Sequence, residues 1–288
     1  MSERKRVLII VCLLIFISFI INITNIYENR IILRKKEIKI ENRYSPFMET
    51  SNFKNENKDR YISYYENNKD LSYENVVTFV NIGLDKGFYN YISDANLDKG
   101  NLVLVNKFHN LDSEYVPNSL ETIDNKYFIN GNANVRKLKK EAKEAFEKLS
   151  SDSIKNGTPV YGQSAYRPYN MQNSLYNTAL ASSGKNKADM DTARPGHSEH
   201  QTGLAIDVSS NKSGNMLTFG NTDSYRWMMD NSHKYGFILR YTKEHENIHG
   251  YINEPWHYRY VGVKVAKDIH DNYSDLTYDE YYYKFIDK

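Results

Sequence analysis

A run of uncharged residues near the N-terminus restricts this chain more than any other feature of its sequence. No charged side chain occurs in Val7–Tyr27, and the part that ends at Ile17 is continuously apolar. At about 1.5 Å per helical residue, the run can cross a bilayer core of about 30 Å. Basic residues occupy positions 4–6, and such charges mark the cytoplasmic end of a membrane span. We therefore expect one transmembrane helix, with the remainder of the chain outside the membrane.

A cleaved signal peptide is the alternative explanation of this run. Cleavage requires small residues in an A-x-A-like pattern, but the first alanine of the chain is Ala95. The residues before Cys12 are isoleucines and valine, whereas a lipoprotein signal has small residues there. The sequence therefore favours an anchor that stays attached.

The rest of the chain divides into two parts by composition. Residues 28–74 are rich in Asn, Lys, Glu and Tyr without sustained periodicity, so we expect a partly disordered stalk outside the membrane. Residues 75–288 carry the patterns of a folded domain. The predicted organisation is a cytoplasmic tail (1–6), a transmembrane anchor (7–27), a stalk (28–74) and a catalytic domain (75–288).

The predicted domain mixes strands and helices without the regular alternation of a doubly wound sheet. β-Branched and apolar runs predict strands at 76–83, 101–107 and 160–167, and also in the segments GLAIDVSS, FILRYT and WHYRYVG. Helical spacing predicts helices at 133–157, 169–182 and 222–236, and from about Val263. This mixture indicates an α+β domain with a small antiparallel sheet flanked by helices.

Charge and cysteine content narrow the possible functions. The 38 basic and 36 acidic residues nearly cancel, for a formal net charge of +2. Such a balance gives no electrostatic argument for nucleic-acid binding, which normally needs a concentrated basic face. Cys12 is the single cysteine, so a disulfide within the chain is impossible and a metal ion must be held by His, Asp or Glu.

One candidate metal motif is H-E-x-x-H at residues 245–249. In zinc proteases this pattern lies on a helix, which brings both histidines to one face. Here Pro255 and Gly250 leave room for about one and a half turns, and an isolated stretch that short does not hold a helix by itself. We therefore interpret the motif as a solvated polar loop, although its histidines could border a pocket.

A second candidate lies in GHSEHQTGLAIDVSS, residues 196–210. Gly203 permits a turn after His200, and the following strand places Ile206 on one face and Asp207 on the other. The Asp207 carboxylate can then converge with His200 on one ion. An ordinary hydrogen bond of Asp207, with His200 packed in a loop, is an equally good explanation of this stretch alone.

The segment EPWHYRYVG, residues 254–262, favours the metal site. Alternation of aromatic residues predicts a strand with His257 on its less aromatic face, and Pro255 allows Glu254 to bend toward the same site. Two histidines and one aspartate, namely His200, His257 and Asp207, give zinc three ligands and leave a position for water. Glu254 can then act as the general base and later as the acid.

Together these segments resemble the VanY group of zinc D-alanyl-D-alanine carboxypeptidases, relatives of the VanX dipeptidases that share the hedgehog-type zinc domain fold. The resemblance is carried by S-x-H-x-x-G-x-A-x-D at 198–207 and by E-P-W-H-Y-R-Y-V-G at 254–262. It extends upstream to 101–107, the predicted helix at 135–150 and S-A-Y-R at 164–167, and so covers most of residues 76–270.

The resemblance implies a role for each matching residue. His200, Asp207 and His257 would bind zinc, Glu254 would be the base, and Arg167 would stabilise the oxyanion, as a fixed guanidinium can. A surface ion pair is the alternative for Arg167. Further positions match or adjoin residues that line the substrate pocket: Ser164, Tyr166, Gln172, Ser198 and Trp256.

This sequence departs from the family pattern at three positions near the pocket. Pro168 follows the arginine where many relatives have serine, Tyr166 follows alanine rather than glycine, and His249 stands where a threonine often precedes the glycine. None of these differences removes a catalytic group. They leave the exact peptide preference open.

The predicted function is zinc-dependent removal of the terminal D-Ala from peptidoglycan stem peptides by an enzyme anchored in the cell membrane. The first alternative is L,D-carboxypeptidase trimming of tetrapeptides by the same chemistry. The second is a zinc-stabilised wall-binding module without catalysis, and the third is a protease that uses H-E-x-x-H. The sequence gives no indication of oligomeric state.

Overall fold

The computed structural model describes residues 2–129, 133, 135–211 and 216–287. The chain forms two compact units, Met1–Val77 and Thr78–Lys288.

In the first unit, helix α1 (Glu3–Met48) contains the uncharged run and is long and apolar enough to cross a membrane. It continues well past Tyr27, and α2 (Lys58–Asn67) follows after a 3-10 turn. The expectation of a partly disordered stalk is therefore wrong for much of 28–74. The segment ENRIILRKKEIKIE after Tyr27 is rich in Glu, Arg, Lys, Ile and Leu, most of which have good helix propensity and support a continued helix even without an amphipathic pattern.

The remaining helices are α3 (Tyr73–Ile82), α4 (Lys140–Lys155), α5 (Tyr169–Ser183), α6 (Lys185–Asp191), α7 (Asp223–Asn231), α8 (Glu246–His249), α9 (Val263–Asn272) and α10 (Tyr278–Tyr281), the last extended by a π-helical turn, Tyr282–Ile286. The strands are β1 (Ser93–Asp94), β2 (His109–Asn110), β3 (Leu120–Thr122), β4 (Lys137–Lys139), β5 (Tyr161–Ser164), β6 (Ala205–Ser209), β7 (Phe237–Leu239) and β8 (His257–Tyr260).

A four-stranded antiparallel sheet with the order β5-β6-β8-β7 is the centre of the second unit. One of its faces is apolar, because alternate residues of β6 and β8 point into the main core. Helix α4 packs on that core through its own apolar stripe; the buried residues include Ile206, Val208, Tyr258, Tyr260, Ala142, Phe146 and Leu149. This arrangement confirms the predicted α+β class with a small antiparallel sheet.

Two predicted strands are wrong. Residues 76–83 lie mostly in helix α3, and residues 101–107 begin in the last residues of a 3-10 segment (Leu97–Leu102) and continue outside any strand. A short apolar run looks alike in a strand and in a buried helix, and Val76 and Val80 also satisfy helical spacing. The helix predicted at 133–157 begins only at Lys140, because residues 137–139 pair as β4; position 134 lies outside the described residues.

Candidate metal centre and active site

The sheet register brings two of the predicted metal ligands side by side. Asp207 of β6 pairs directly with His257 of β8, and Ser164 of β5 pairs with Asp207 across a bulge on the other side. Directly opposed residues on one face of a sheet have Cβ atoms about 5 Å apart. The polar face of β6 therefore presents Asp207 to His257, as the alternation in the sequence predicts.

His200 reaches the same point from the 3-10 turn Glu199–Thr202, which precedes β6. Gly203 ends that turn with a φ of 69°, a left-handed conformation that glycine adopts without strain. A Cβ atom on Gly203 would lie 2.7 Å from Leu120 Cδ2, so a larger residue there would also require the Leu120 side chain to move. The turn returns the chain into β6 with the His200 ring above the sheet.

The three side chains form a compact, buried group. His200 Nε2 lies 3.3 Å from Asp207 Oδ2, and His257 Nδ1 lies 3.1 Å from Asp207 Oδ1. One ligand atom from each of the three residues lies within 4.8 Å of the others, and all three residues are buried. Two imidazole nitrogens and one carboxylate oxygen are a donor set that suits zinc and leaves a fourth position open.

The other ring nitrogen of each histidine is held by an oxygen. His200 Nδ1 lies 2.6 Å from Ala165 O, and His257 Nε2 lies 3.2 Å from Glu199 Oε2. Because these oxygens only accept, each of those nitrogens donates its proton and the opposite nitrogen faces Asp207. Metal-binding histidines are oriented in this way, so the residues fit a zinc ion.

The electrostatics of the group favour a cation. Burial alone raises the pKa of Asp207, but His200 and His257 outweigh that effect and hold the pKa of this carboxyl well below its usual range. Burial lowers the pKa of His257, yet its contacts with Asp207 and Glu199 outweigh burial and raise that pKa to about 9. Positive charge is therefore stabilised between Asp207 and His257.

Glu254 lies at the edge of this group, with Oε2 3.8 Å from His257 Nδ1. Its backbone is fixed by a hydrogen bond from Glu254 N to Tyr241 O at 3.0 Å. Burial raises the pKa of Glu254 to about 7. A carboxyl with such a pKa can both accept and release a proton near neutral pH.

The Arg167 guanidinium lies on the opposite side of Asp207. Nη2 donates to Ser164 Oγ at 3.0 Å and lies 3.5 Å from Asp207 Oδ2, while Nη1 donates to Gln172 Oε1 at 2.9 Å. Gln172 Nε2 in turn donates to Ala193 O at 2.7 Å. These contacts fix the guanidinium in a single orientation, and a surface ion pair does not describe Arg167.

A cavity of about 420 Å³ opens over the group. His200, Asp207, His257, Glu254 and Arg167 all line it. Of the predicted substrate contacts, the cavity wall contains Gln172, Ser198 and Trp256. Ser164 and Tyr166 are not part of the wall, and Ser164 contacts Arg167 instead. Their assignment to substrate binding stays a prediction.

The H-E-x-x-H segment forms a short 3-10 turn (Lys243–His245) followed by the single turn of α8. It is not a solvated loop as expected, since Ile248 and His249 are buried. Neither histidine belongs to a group of described residues that could hold a metal ion, and neither lines the 420 Å³ cavity. The motif packs against the domain because Ile248 joins a second apolar core.

Another group with ligand-type side chains contains His233, His270 and Asp271. The rings of His233 and His270 stack at 3.6 Å with an interplanar angle of 20°. The imidazole lone pairs therefore lie in two nearly parallel planes 3.6 Å apart and do not meet at one point. The group at Asp207 is the better metal site.

Sequence reasoning missed two residues of the site. Glu199 contacts His257 from within the S-E-H motif, and its place between two motif residues is a signal that could have identified it. Tyr241 lines the cavity, and its ring centroid lies 4.9 Å from that of His257. Tyr241 comes two residues after β7 and carries no distinguishing pattern in this tyrosine-rich chain.

Comparison with known proteins identifies the family of this chain. The family model VanY, described as D-alanyl-D-alanine carboxypeptidase, matches residues 135–263. The putative carboxypeptidase YodJ of Bacillus subtilis (strain 168) is 42% identical over 185 residues, which are 64% of this chain and 67% of that protein. This chain belongs to the VanY family.

Solved structures of VanY relatives share the fold. The LdcB LD-carboxypeptidase is 39% identical with a TM-score of 0.62, and the match covers 68% of this chain and 91% of that one. VanYB in complex with D-alanine-D-alanine is 30% identical with a TM-score of 0.53, over 63% of this chain and 96% of its own. VanY from the VanB-type resistance cassette, solved with Zn(II), is also 30% identical with a TM-score of 0.53. That match covers 63% of this chain and 98% of the VanY chain.

Membership of the VanY family confirms two predictions. The protein is a zinc metallopeptidase of the carboxypeptidase type, and its cofactor is zinc. The geometry around Asp207 is the basis for the assignment of the residues that would hold the ion.

Proposed function

We propose that this VanY-family enzyme is a D,D-carboxypeptidase that removes the terminal D-Ala from peptidoglycan stem peptides ending in D-Ala-D-Ala. The observation that carries the proposal is the convergence of His200, Asp207 and His257 in the wall of one cavity that Glu254 and Arg167 also line. The VanY family model and the VanYB complex with D-alanine-D-alanine support this substrate.

In this mechanism His200, Asp207 and His257 would hold the zinc. When bound, the ion would supply Lewis-acid polarisation of the scissile carbonyl and lower the pKa of a water molecule. The Glu254 carboxylate is placed to take a proton from the attacking water as the water oxygen bonds to the carbonyl carbon. Glu254 then gives the proton to the amine nitrogen as the C–N bond breaks, and D-Ala leaves.

Arg167 has the complementary role in this proposal. Its guanidinium is held by Ser164 and Gln172, so its remaining N–H groups are already oriented when negative charge develops on the carbonyl oxygen. A donor that needs no reorganisation stabilises the transition state more than the ground state. Ser198 and Trp256 line the same cavity, where they are placed to contact the peptide.

The second candidate function is L,D-carboxypeptidase trimming of tetrapeptides. One observation favours it: LdcB, an LD-carboxypeptidase, is 39% identical to this chain with a TM-score of 0.62, against 30% and 0.53 for VanYB. The two activities use the same groups and differ in the residue before the cleaved bond, so only product analysis separates them.

The test is mass spectrometry of products from a defined pentapeptide and a defined tetrapeptide, each with and without a chelator. We expect the pentapeptide to lose one D-Ala, the chelator to stop the reaction, and added zinc to restore it. Cleavage of the tetrapeptide alone would establish the L,D activity instead. If neither peptide is cleaved while zinc is bound, both the D,D and the L,D proposals fail.

We also propose that helix α1 anchors the enzyme as a single-pass membrane protein, with residues 1–6 in the cytoplasm and the catalytic domain outside. The long apolar helix and the basic residues at 4–6 support this orientation. Stem peptides of the cell wall lie on the outer side of the membrane, where such an enzyme would meet them.

A further inference from the structure

Glu199 is a buried carboxylate to which the proposed mechanism gives no task. It follows Ser198 and precedes His200, yet its side chain points to a different ligand, since Oε2 lies 3.2 Å from His257 Nε2. Its side chain has no exposed surface. A buried carboxylate is costly unless it is paired and hydrogen-bonded, so its partners are informative.

The second oxygen of Glu199 is held by two arginines. Oε1 accepts from Arg240 Nε and from Arg259 Nη1, both at 2.9 Å. Neither arginine side chain has exposed surface. Two guanidinium groups on one oxygen fix the carboxylate plane, and that leaves Oε2 in one place relative to the His257 ring.

The network continues from Arg240 to the C-terminal part of the chain. Arg240 Nη1 donates to Asp279 Oδ2 at 2.7 Å, and Asn106 Nδ2 donates to Asp279 Oδ1 at 2.7 Å. Glu199 and Asp279 together balance the charges of Arg240 and Arg259. Without Asp279, Arg240 would have only Glu199 as its acidic partner and would compete for it with His257.

Asp279 lies in helix α10, which follows the end of the family match at residue 263. The first turn of α10 is fixed by a capping box, in which the Thr277 hydroxyl accepts from Glu280 N and the Glu280 carboxylate accepts from Thr277 N. The ring of Tyr278 also faces the guanidinium of Arg240 at 5.5 Å. The chain therefore holds Asp279 in a defined position.

We infer that Glu199 is a positioning residue for His257, and that helix α10 completes this role through Asp279 and Arg240. Glu199 fixes the tautomer and the ring orientation that leave His257 Nδ1 free for the metal, as partners of metal-binding histidines do. The inference rests on the proposed function only in taking His257 as a zinc ligand. According to this inference, helix α10 helps to hold the His257 ring in the orientation that a metal ion requires.

The test measures zinc affinity of the full-length protein in detergent by competition with a chelating fluorophore. Glu199→Gln keeps the volume and removes the charge, and we expect zinc binding to weaken about 10- to 100-fold. Asp279→Asn should weaken zinc binding about 10-fold. Asp275→Asn is the matched control, because Asp275 is an exposed aspartate just before α10 and should leave the affinity unchanged.

Thermal unfolding of each variant is measured alongside, because a merely structural role would lower the unfolding temperature and leave the zinc affinity of the folded protein intact. Folded Glu199→Gln and Asp279→Asn variants with wild-type zinc affinity would overturn the inference. If Asp279→Asn does not fold, Thr277→Ala loosens the first turn of α10 and should weaken zinc binding two- to fivefold; an unchanged affinity there would overturn the part assigned to α10.

The outcome separates this inference from the proposed function. Weakened zinc binding in a protein that cleaves neither peptide supports the positioning role and rejects the peptidase proposal. If the peptide is cleaved and both Glu199→Gln and Asp279→Asn keep the wild-type zinc affinity, the peptidase proposal is supported and the positioning role is rejected. If His257→Ala binds zinc as tightly as the wild type, both assignments fail.

Discussion

Glu254 has two properties that its neighbours in the site do not combine. It lies close enough to His257 to share the metal site, at 3.8 Å, and burial raises its pKa to about 7. Asp207, which also contacts His257, is held ionised by two histidines. The surroundings thus give two carboxyls in one cavity different proton affinities. Asp207 is suited to the role of a metal ligand, and Glu254 to that of a proton carrier.

Replacement of Glu254 by glutamine is expected to lower kcat/KM on the cleaved peptide by about 10²- to 10⁴-fold, the usual contribution of a general acid–base group. Zinc content should stay at the wild-type level, because the three ligands remain. His200→Ala is the matched control and should lose zinc as well as activity. A Glu254→Gln enzyme with activity within tenfold of the wild type would show that another group carries the proton.

His249 is buried as a neutral ring with both nitrogens occupied. Nε2 lies 3.0 Å from Thr242 O, and Nδ1 accepts from Tyr251 N at 3.2 Å. Burial is the main reason that the pKa of His249 is lowered to about 4. Protonation would remove the acceptor that Tyr251 N requires, so the folded state resists it.

The pH dependence of stability follows from this shift. The pKa of His249 is lower in the folded state than in the unfolded state, where it is about 6.5, so the unfolded state binds the proton first. The contribution of His249 to the free energy of unfolding is complete above about pH 6.5 and is lost as the pH falls toward 4. The loss amounts to about 2 kcal/mol between pH 7 and 4.5.

Urea unfolding at pH 7 and pH 4.5 tests this prediction with His249→Gln. Glutamine can donate to Thr242 O and accept from Tyr251 N without titrating. The free energy of unfolding of the variant should fall by about 2 kcal/mol less than that of the wild type over this range. Equal losses in the two proteins would exclude His249 as a source of acid sensitivity.

At the scale of elements, the 3-10 turn Glu199–Thr202 and strand β6 are joined at Gly203. That joint determines where His200 stands relative to Asp207. The φ of 69° favours glycine, and an added Cβ would lie 2.7 Å from Leu120 Cδ2, so that side chain would have to move. A small backbone change here would move His200, a proposed metal ligand.

Gly203→Ala is expected to destabilise the domain by about 2–4 kcal/mol, the sum of a left-handed φ for alanine and an overpacked contact. Gly157→Ala is the control, since Gly157 also has a positive φ, 78°, but no atom within 4 Å of a Cβ. It should cost only about 1–2 kcal/mol. Thermal unfolding of the two variants tests this prediction. If both variants lower the unfolding temperature equally, the contact with Leu120 is easily relieved.

For the molecule as a whole, the proposed anchor in α1 would determine where the peptidase acts. We expect the full-length protein to sediment with membranes, to resist extraction by high salt and to be released by detergent, since its apolar run would lie in the lipid. Deletion of residues 2–27 should move the protein to the soluble fraction. Release of the full-length protein by salt alone would contradict the anchor.

The sequence predicted the strands of the central sheet well and the first part of the domain poorly. GLAIDVSS and WHYRYVG have a period-2 pattern with one polar face, and both form strands with Asp207 and His257 on that face. Residues 76–83 have no such pattern, and their helix is decided by packing around Val76 and Val80. Periodicity predicts an element when only one of its faces is buried.

From the sequence alone one can predict the α+β class and the VanY relationship, and propose the residues for metal binding and acid–base chemistry, because motif spacing and alternation are local properties of the chain. Only the tertiary structure decided the pairing of Asp207 with His257, the fixing of Arg167 by Ser164 and Gln172, and the support of His257 by Glu199. It also brought Asp279 within reach of Arg240. Most of these contacts join residues far apart in the chain, and their strength depends on burial, which exists only once the domain is folded.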